Sequence, residues 1–163
     1  MAYKSCRPED FEALVTRYEN RLYRTALAIT GDIGEAEDMV QEAFLRAYEK
    51  APPFTSAEHE TAWLLRVTVN LCKSRLRSAW RQRRAPLLAS YPAATAKQEE
   101  LIASVLALPG KYRAVIHLYY YEGYRVKEIA GLTGRKESTV RSLLTRARQK
   151  LKSVLEEDDD ESL

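Results

Sequence analysis

The sequence predicts an all-α protein of two small helical domains joined by a flexible linker, the C-terminal one a helix-turn-helix domain. Apolar residues recur at steps of three and four along nearly the whole chain. The segment Ala85–Ala96 (APLLASYPAATA) has two prolines and no charge, a composition typical of a linker. No alternating run bounded by turn residues indicates a strand. The predicted domains are residues 1–84 and 97–155, and residues 156–163 form an acidic tail.

The first predicted helix begins near Pro8, which suits a first helical turn because the amide hydrogen it lacks would be unpaired there. Glu9 and Asp10 follow, where negative charge interacts favourably with the helix dipole. Gly31 is expected to end this helix. Its apolar stripe consists of Phe11, Leu14, Val15, Tyr18, Leu22, Ala26 and Ile29.

Two more helices complete the predicted N-terminal domain. Asp32 is the expected N-cap of the second helix, and Pro52–Pro53 ends it. Thr55 and Glu58 have the spacing of a capping box for the third helix. The predicted buried residues are Ala36, Met39, Val40, Ala43 and Ala47 in the second helix and Trp63, Leu64, Val67 and Leu71 in the third.

The segment Trp63–Arg84 is strongly basic, with seven Arg or Lys residues and no acid. One interpretation is an ordinary solvated helix face. The other is a surface for single-stranded or melted DNA, because cations follow the backbone while bases stack on aromatic and guanidinium faces. Trp80, between Arg77 and Arg81, is the better stacking candidate. The apolar face is too ordinary to favour a helix that lies on a membrane surface.

The C-terminal domain contains a helix-turn-helix pattern. Ala130, Gly134 and Val140 stand at relative positions 1, 5 and 11. They supply a small residue at the helix crossing, a residue tolerant of positive φ in the turn, and an aliphatic residue for the shared core. The helices expected in this domain are Lys97–Leu108, Lys111–Tyr121, Arg125–Leu132 and Lys136–Leu155.

The second helix of this pattern lies in another basic segment, Gly134–Lys152, which has seven Arg or Lys residues and one Glu. Its outward donors are suited to base edges and phosphates in a major groove. A helical hairpin with a solvated basic face is the alternative to a DNA-binding module. The predicted buried residues are Val140, Leu143, Leu144, Ala147 and Leu151, and the outward ones are Lys136, Ser138, Arg141, Ser142, Thr145 and Arg148.

Acidic and amide side chains crowd the start of the second helix. Acids at this position stabilise the helix dipole, which is a sufficient explanation for them. The alternative is a protein-docking face, because an acidic patch would repel DNA, with Phe44 and Leu45 as its apolar centre. The crowded residues are Glu35, Glu37, Asp38, Gln41 and Glu42.

Composition limits the function classes. The formal charge of +3 becomes +9 when the six acids of the tail are left out, which suits a polyanionic partner. Cys6 and Cys72 have no metal or disulfide spacing and fit a reducing cytoplasm. His59 and His117 lack carboxylate or cysteine partners at useful spacing, so we expect no enzyme, metal or cofactor. No apolar run approaches the ~20 residues of a membrane span, and no signal peptide is visible, so a soluble cytoplasmic protein is expected.

Together these segments resemble an extracytoplasmic-function (group IV) sigma factor of the bacterial sigma-70 family, over about Asp10–Leu155. Glu35–Tyr48 (EAEDMVQEAFLRAY) is similar to the family's core-polymerase-binding helix. Trp63–Arg77 is similar to the −10 element segment, whose usual form is W-L-x-R-I-A-R-N-L-A-x-D-x-x-R. The segments similar to the −35 reader are Leu108–Pro109 followed by Arg113, Glu128–Ala130, and Ser138–Arg148 (STVRSLLTRAR).

The resemblance implies a specificity subunit of RNA polymerase that reads −35 duplex and melted −10 DNA, has no active site and is held by an anti-sigma factor. For the β′ clamp of the polymerase it implies contacts from Asp38, Gln41, Glu42, Phe44 and Leu45. For −10 DNA it implies Arg66, Asn70 and Arg77, and the basic face of the same helix adds Lys73, Trp80 and Arg81. For −35 DNA it implies Lys136, Ser138, Thr139, Arg141, Ser142, Thr145, Arg146 and Arg148.

The chain departs from the family pattern at three positions. Val69 and Ser74 replace a common Arg and an Asp of the −10 segment, and Leu143 stands where the recognition helix often has Arg. These changes bear on the promoter sequence and on melting. The acidic tail matches no family motif. It is expected to be a disordered solubilising tail, with shielding of a basic face in cis as the alternative.

Two other functions compete with the sigma-factor interpretation. A stand-alone helix-turn-helix repressor or activator would dimerise and bind a palindromic operator without polymerase. A nuclease that holds a metal ion with Glu37, Asp38 and Glu42 is a more distant possibility and would show cleavage dependent on divalent ions.

Overall fold

The computed structural model describes residues 8–78 and 103–161, with side chains for residues 9–75 and 103–153. Within these ranges the chain is helical and contains no strand, as predicted. The segment 85–96, Trp80 and Arg81 lie outside the described residues. The helices are α1 (Pro8–Thr30), α2 (Ile33–Lys50), α3 (Ala57–Ser78), α4 (Gly110–Ile116), α5 (Val126–Thr133) and α6 (Glu137–Glu161), and a π-helical turn (His117–Tyr121) continues α4.

Helices α1, α2 and α3 pack against one another as the N-terminal helical domain. The structure describes α1 from Pro8 onward, and the predicted end of this helix before Gly31 is confirmed. Gly31 has φ +70°, a left-handed conformation that glycine adopts without steric cost. The predicted N-cap of α2 is also confirmed, because the Asp32 carboxylate accepts a hydrogen bond from the Glu35 amide at 2.9 Å.

The predicted capping box at the start of α3 is displaced by one residue. The Ser56 hydroxyl, rather than that of Thr55, caps the helix by accepting a hydrogen bond from the His59 amide at 3.0 Å. The His59 ring reaches back and accepts from the Thr55 amide at 3.2 Å. The capping hydrogen bonds thus involve Ser56 and His59 instead of the predicted Thr55 and Glu58. The imidazole nitrogen of His59 is the acceptor that was predicted to be a glutamate carboxylate.

The helix-turn-helix is formed by α5, a turn at Gly134, and α6. Gly134 has φ +68°, and the Arg135 amide donates to the Ala130 carbonyl across the turn at 3.1 Å. Val140 is fully buried, as predicted from its spacing to Gly134. The other predicted buried residues of α6 are buried or partly buried in the core, namely Leu143, Leu144, Ala147 and Leu151.

Residues 156–161 of the acidic tail do not have the disordered backbone expected from its composition. Helix α6 continues through Glu161, so the tail backbone extends the recognition helix of the helix-turn-helix. The helix runs for 25 residues without Gly or Pro, and no residue in it forces a stop.

The two domains pack together rather than standing apart. Helix α1 contacts α4 and the π-helical turn, and α3 contacts α5. The buried side chains of both domains form a single hydrophobic cluster, which includes Leu22, Leu27 and Ile29 of α1 together with Val115 and Leu118. The sequence predicted two helical domains but gave no sign of this contact.

Candidate nucleic-acid and polymerase interfaces

The outward face of α6 presents polar and basic side chains along the helix after the turn. Ser138, Arg141 and Ser142 are exposed, and Thr139 is half-buried. The Arg141 guanidinium lies 3.2 Å from the Glu137 carboxylate, an exposed pair one helical turn apart. Such a pair is easily exchanged for a phosphate, because exposed ion pairs are worth little. The other predicted −35 residues are also exposed, namely Lys136, Thr145, Arg146 and Arg148.

Arg148 is held by an aromatic pair that the sequence analysis missed. Its Nε donates to the Tyr120 hydroxyl at 2.6 Å, and its guanidinium lies 5.3 Å from the centre of the Tyr119 ring. The hydrogen bond to Tyr120 raises the pKa of Arg148 above its usual value. Tyr120 is 59% exposed, so this corner presents an aromatic ring and a cation side by side. The sequence feature that could have indicated this aromatic pair is the run Tyr119–Tyr121 before Glu122.

Only part of the predicted −10 surface is exposed to solvent. Arg66 and Asn70 are exposed on α3. Lys73, one turn further along, is half-buried and donates to the Thr133 carbonyl at the end of α5. Trp63 is half-buried and packs edge-on against Phe54, with ring centres 5.9 Å apart. The structure describes only the backbone of Arg77, within α3.

The predicted polymerase-docking surface on α2 needs one correction. Asp38 and Gln41 are exposed, and the Glu42 carboxylate, itself 46% exposed, lies 3.6 Å from the Arg46 guanidinium. Leu45 is 53% exposed, but Phe44 is only 7% exposed and packs edge-on against Phe11. Phe44 therefore belongs to the core, because its position in α2 faces α1. Tyr48, which was not predicted, is 46% exposed and extends the apolar part of this surface.

A buried guanidinium joins the two domains. Arg113 of α4 is 4% exposed. It donates to the carbonyl oxygens of Ala28 and Ile29 in the last turn of α1, each at 2.8 Å. It also donates to the carbonyls of Leu106 and Leu108 in its own domain, both at 3.2 Å. The last turn of α1 has no basic residue of its own, so the cation that faces its negative end comes from the other domain.

A polar cluster lies beside this guanidinium at the same interface. The Arg21 guanidinium donates to the Glu122 carboxylate at 2.6 Å, and the Thr25 hydroxyl lies 3.1 Å from the His117 ring nitrogen. Burial alone would raise the pKa of Glu122, but the His117 ring and the Arg21 guanidinium beside the carboxylate outweigh it and hold that pKa below its usual value. His117 is 5% exposed and its Nε2 lies 3.7 Å from the Glu122 carboxylate, so the expectation that this histidine has no carboxylate partner is wrong.

The part of the chain that the structure describes offers neither a metal site nor a membrane span. No group of three or more His, Cys, Asp or Glu side chains there could hold a metal ion, and the acids at the start of α2 do not converge on such a site. No described helix is both long enough and apolar enough to cross a bilayer.

Comparison with known families identifies both domains. Residues 14–82 match the model of Sigma-70 region 2, and residues 98–151 match that of Sigma-70, region 4. The chain is also 35% identical over 150 residues to the ECF RNA polymerase sigma factor SigM of Mycobacterium tuberculosis, covering 89% of this chain and 76% of that protein. This chain belongs to the ECF sigma factors.

Other ECF sigma factors match it over similar lengths. SigL of Mycobacterium tuberculosis is 35% identical over 158 residues, which cover 89% of this chain and 88% of that protein. The probable RNA polymerase sigma factor RfaY of Xanthomonas campestris is 32% identical over 160 residues, but this chain spans only 39% of its length.

Solved structures of sigma factors have the same fold. CnrH, determined in complex with the cytosolic domain of CnrY, is 27% identical with a TM-score of 0.63, covering 92% of this chain and 90% of CnrH. RpoE of Bartonella quintana, determined with the anti-sigma factor NepR, has a TM-score of 0.71 at 22% identity over 91% of this chain and 98% of RpoE. The two packed helical domains are thus an ECF sigma factor fold.

Proposed function

We propose that this ECF sigma factor directs RNA polymerase to promoters by reading the −35 duplex with α6 and melted −10 DNA with α3. The observation that carries the proposal is the placement of opposite charges in one chain. An exposed acidic and apolar surface lies on α2, and exposed donors lie on α3 and on the second helix of a helix-turn-helix. The exposed apolar residues on α2 favour a docking surface over acids that only stabilise the helix dipole.

For the −35 element, the first turns of α6 enter the major groove, as the second helix of a helix-turn-helix does. Ser138, Arg141 and Ser142 are placed to reach base edges, and Arg146 and Arg148 to reach phosphates. The remaining contacts of this surface come from Lys136, Thr139 and Thr145.

For the −10 element, α3 captures unstacked bases of the melted strand. Opening duplex costs about 1.4 kcal/mol per base-pair step in stacking alone, so basic and stacking contacts must offset several steps. Arg66 and Asn70 are exposed for this role, and Arg77 lies further along the same helix. Lys73, Trp80 and Arg81 complete the proposed set.

For the polymerase, the α2 surface docks on the coiled coil of the β′ clamp. Asp38, Gln41 and Glu42 supply the polar contacts, and Leu45 and Tyr48 supply the apolar centre. Phe44 supports this surface from below. We further propose that an anti-sigma factor holds the free chain in the bacterial cytoplasm, since a related fold was determined with such a partner.

Run-off transcription with core RNA polymerase and a promoter library tests the proposal. Transcripts that depend on the chain and share a −35 and −10 pattern are expected. The variant Asp38→Arg with Glu42→Arg should abolish them, while Arg17→Glu, a charge reversal on α1, serves as the control. Tight binding of the chain alone to a palindromic duplex, without polymerase-dependent initiation, would instead support a repressor.

A further inference from the structure

The Arg148 guanidinium lies between the rings of two neighbouring tyrosines. The rings of Tyr119 and Tyr120 have centres 4.9 Å apart and planes inclined by 75°, so they form two walls of a corner. The guanidinium carbon lies 5.3 Å from the centre of the Tyr119 ring and 5.6 Å from the centre of the Tyr120 ring. Because Nε also donates to the Tyr120 hydroxyl at 2.6 Å, the direction of this long side chain is fixed. These three side chains are called the aromatic corner.

The π-helical turn places the two rings beside α6. The Glu122 amide donates to the His117 carbonyl at 3.0 Å, a hydrogen bond that spans five residues and widens the helix at this point. Tyr119 is half-buried and packs against the hydrophobic core, whereas Tyr120 is 59% exposed. The core therefore anchors one wall of the aromatic corner, and the other wall presents its hydroxyl at the surface. Single π-helical turns occur frequently at functional sites, and this one supports an exposed cation.

The partners of Arg148 leave its positive charge uncompensated. Within the described residues it forms no ion pair, and its contacts are a hydroxyl and two rings, which are all neutral. Its hydrogen bond to Tyr120 uses Nε, and the two Nη groups form a planar fork that matches two oxygens of a phosphate. Three other guanidinium groups are paired with carboxylates instead, namely Arg17 with Glu60, Arg21 with Glu122 and Arg141 with Glu137. Arg148 is thus held in one direction and remains able to bind an anion.

The place of Arg148 on α6 indicates which anion it binds. The aromatic corner is continuous with the proposed −35 surface, since Arg148 and Ser138 are exposed on the same helix. At about 1.5 Å per residue, Arg148 lies ~15 Å along α6 from Ser138. The first turns of such a helix contact base edges in a major groove that is about 12 Å wide and is bounded by the two sugar-phosphate backbones. With Ser138 at the bases, Arg148 therefore comes to the rim of the groove, where the anion is a backbone phosphate.

We propose that Tyr120 is a positioning residue for DNA binding, whose hydroxyl directs the Arg148 guanidinium so that its two Nη groups hold a backbone phosphate at the rim of the −35 duplex. The inference rests on the proposed function and deepens it, because it names the residue that prepares one of the phosphate contacts. An arginine that is already fixed loses less rotamer freedom on binding than a mobile one. A phosphate contact carries no base information, so Tyr120 strengthens binding to any duplex sequence alike.

Removing one hydroxyl separates the positioning role from the packing of the ring. Tyr120→Phe keeps the ring and loses the hydrogen bond to Arg148, and it should leave the melting temperature nearly unchanged because Tyr120 is exposed. Tyr121→Phe is the matched control. The Tyr121 hydroxyl accepts a hydrogen bond from Arg24, whose guanidinium lies 5.8 Å from the centre of the Tyr121 ring. The same chemistry is thus removed from an arginine on α1, outside the proposed DNA contacts.

Fluorescence anisotropy of the full chain measures the effect, on a −35 duplex selected from the promoter library and on the same duplex with its −35 bases scrambled. Tyr120→Phe should weaken binding to both duplexes by about three- to tenfold, and Tyr121→Phe should not weaken it. Arg148→Ala should reduce the slope of log affinity against log salt by about 1, the effect of one lost phosphate contact. Adding Tyr120→Phe to Arg148→Ala should cause no further loss, because the hydroxyl acts through the guanidinium.

Three results would overturn the inference while −35 reading stands. The first is wild-type affinity in Tyr120→Phe beside a loss in Arg148→Ala, and the second is a further loss from Tyr120→Phe when Arg148 is already absent. The third is a loss from Tyr120→Phe on the −35 duplex alone, which would assign the tyrosine to base reading. If the wild type prefers neither duplex, the proposed −35 reading itself fails, and the positioning role at that element fails with it.

Discussion

At the scale of single residues, Phe44 and Leu45 are neighbours in the sequence but differ in role. Phe44→Ala should lower the free energy of unfolding by about 3 to 5 kcal/mol, because it leaves a cavity against α1. Leu45→Ala should change stability by less than about 0.5 kcal/mol, since the side chain is 53% exposed, but should weaken polymerase binding. Urea unfolding and a core-polymerase pull-down check the pair. Equal effects of the two changes on unfolding would contradict the placement of Phe44.

The thiol of Cys72 offers a second test at this scale. It is fully buried among apolar side chains, and burial raises its pKa to about 12. The thiolate is the reactive form, so at pH 8 the folded chain should leave Cys72 unmodified by iodoacetamide while urea exposes it within minutes. Peptide mass spectrometry checks this. Rapid modification of Cys72 in the native chain would show that α3 is less well packed than described.

At the scale of elements, the turn of the helix-turn-helix depends on Gly134. Its φ of +68° costs a residue with a Cβ atom about 1 to 2 kcal/mol, although a Cβ there would meet nothing within 4 Å. Gly134→Ala should therefore destabilise the chain by that amount. Gly131→Ala, within α5 and equally open, is the control and should be neutral or slightly stabilising. Thermal unfolding measures both. Similar melting temperatures for the two variants would argue against a strained turn.

The helical tail gives a prediction for electrostatics. At about 1.5 Å per residue, Glu156 lies ~27 Å along α6 from Ser138 and ~12 Å from Arg148, in both cases farther than the Debye length of ~10 Å at 0.1 M salt. Deleting residues 156–163 should leave the affinity for duplex DNA unchanged at that salt concentration. Fluorescence anisotropy on a promoter duplex checks it. Tighter binding after deletion would mean that the acids fold back onto a basic face.

The ends of the helices were predictable where they depend only on the chemistry of neighbouring residues. Gly31, Asp32 and Gly134 act within one helical turn, and the structure confirms each of them. The cap at Ser56 could not be predicted from the sequence pattern, because Thr55 precedes Ser56 directly and either hydroxyl can cap the helix. The π-helical turn left no trace in the sequence, since its residues suit an ordinary helix equally well.

At the scale of the whole molecule, the domain contact was beyond prediction. Arg113 was matched in the sequence only as part of the −35 reader, and its acceptors are backbone carbonyls, which every residue has. Lys73 was correctly placed on the basic face of α3, yet its neighbour across the interface is 60 residues away. Contacts of this kind depend on the arrangement of elements rather than on the composition of any one of them.

Acidic pH should weaken the contact between the two domains. The Glu122 carboxylate pairs with Arg21 of α1 and faces His117 and Tyr124, and its pKa is lowered in the packed chain. Thr25 and Tyr121 contact the His117 ring, and Arg24 contacts Tyr121. Because packing lowers the pKa of Glu122, its ionised carboxylate stabilises the packed form at pH values above the ordinary pKa of a glutamate. That contribution is lost as the pH falls through the lowered pKa.

The radius of gyration of the wild type should therefore rise below about pH 4.5, while helical circular dichroism persists. Glu122→Gln, which cannot titrate, should show no such step. An identical rise in Glu122→Gln would assign the transition to other carboxylates.

The Arg113 guanidinium also makes the end of α1 a reporter for the entire chain. When the domains separate, the carbonyls of Ala28 and Ile29 lose their donors and the last turn is free to fray. The Gly31 amide, bonded to the Leu27 carbonyl at 2.9 Å, would then exchange its hydrogen with solvent. The hydrogen-exchange rate of this single amide, in a chain of 163 residues, would therefore report how often the two domains separate.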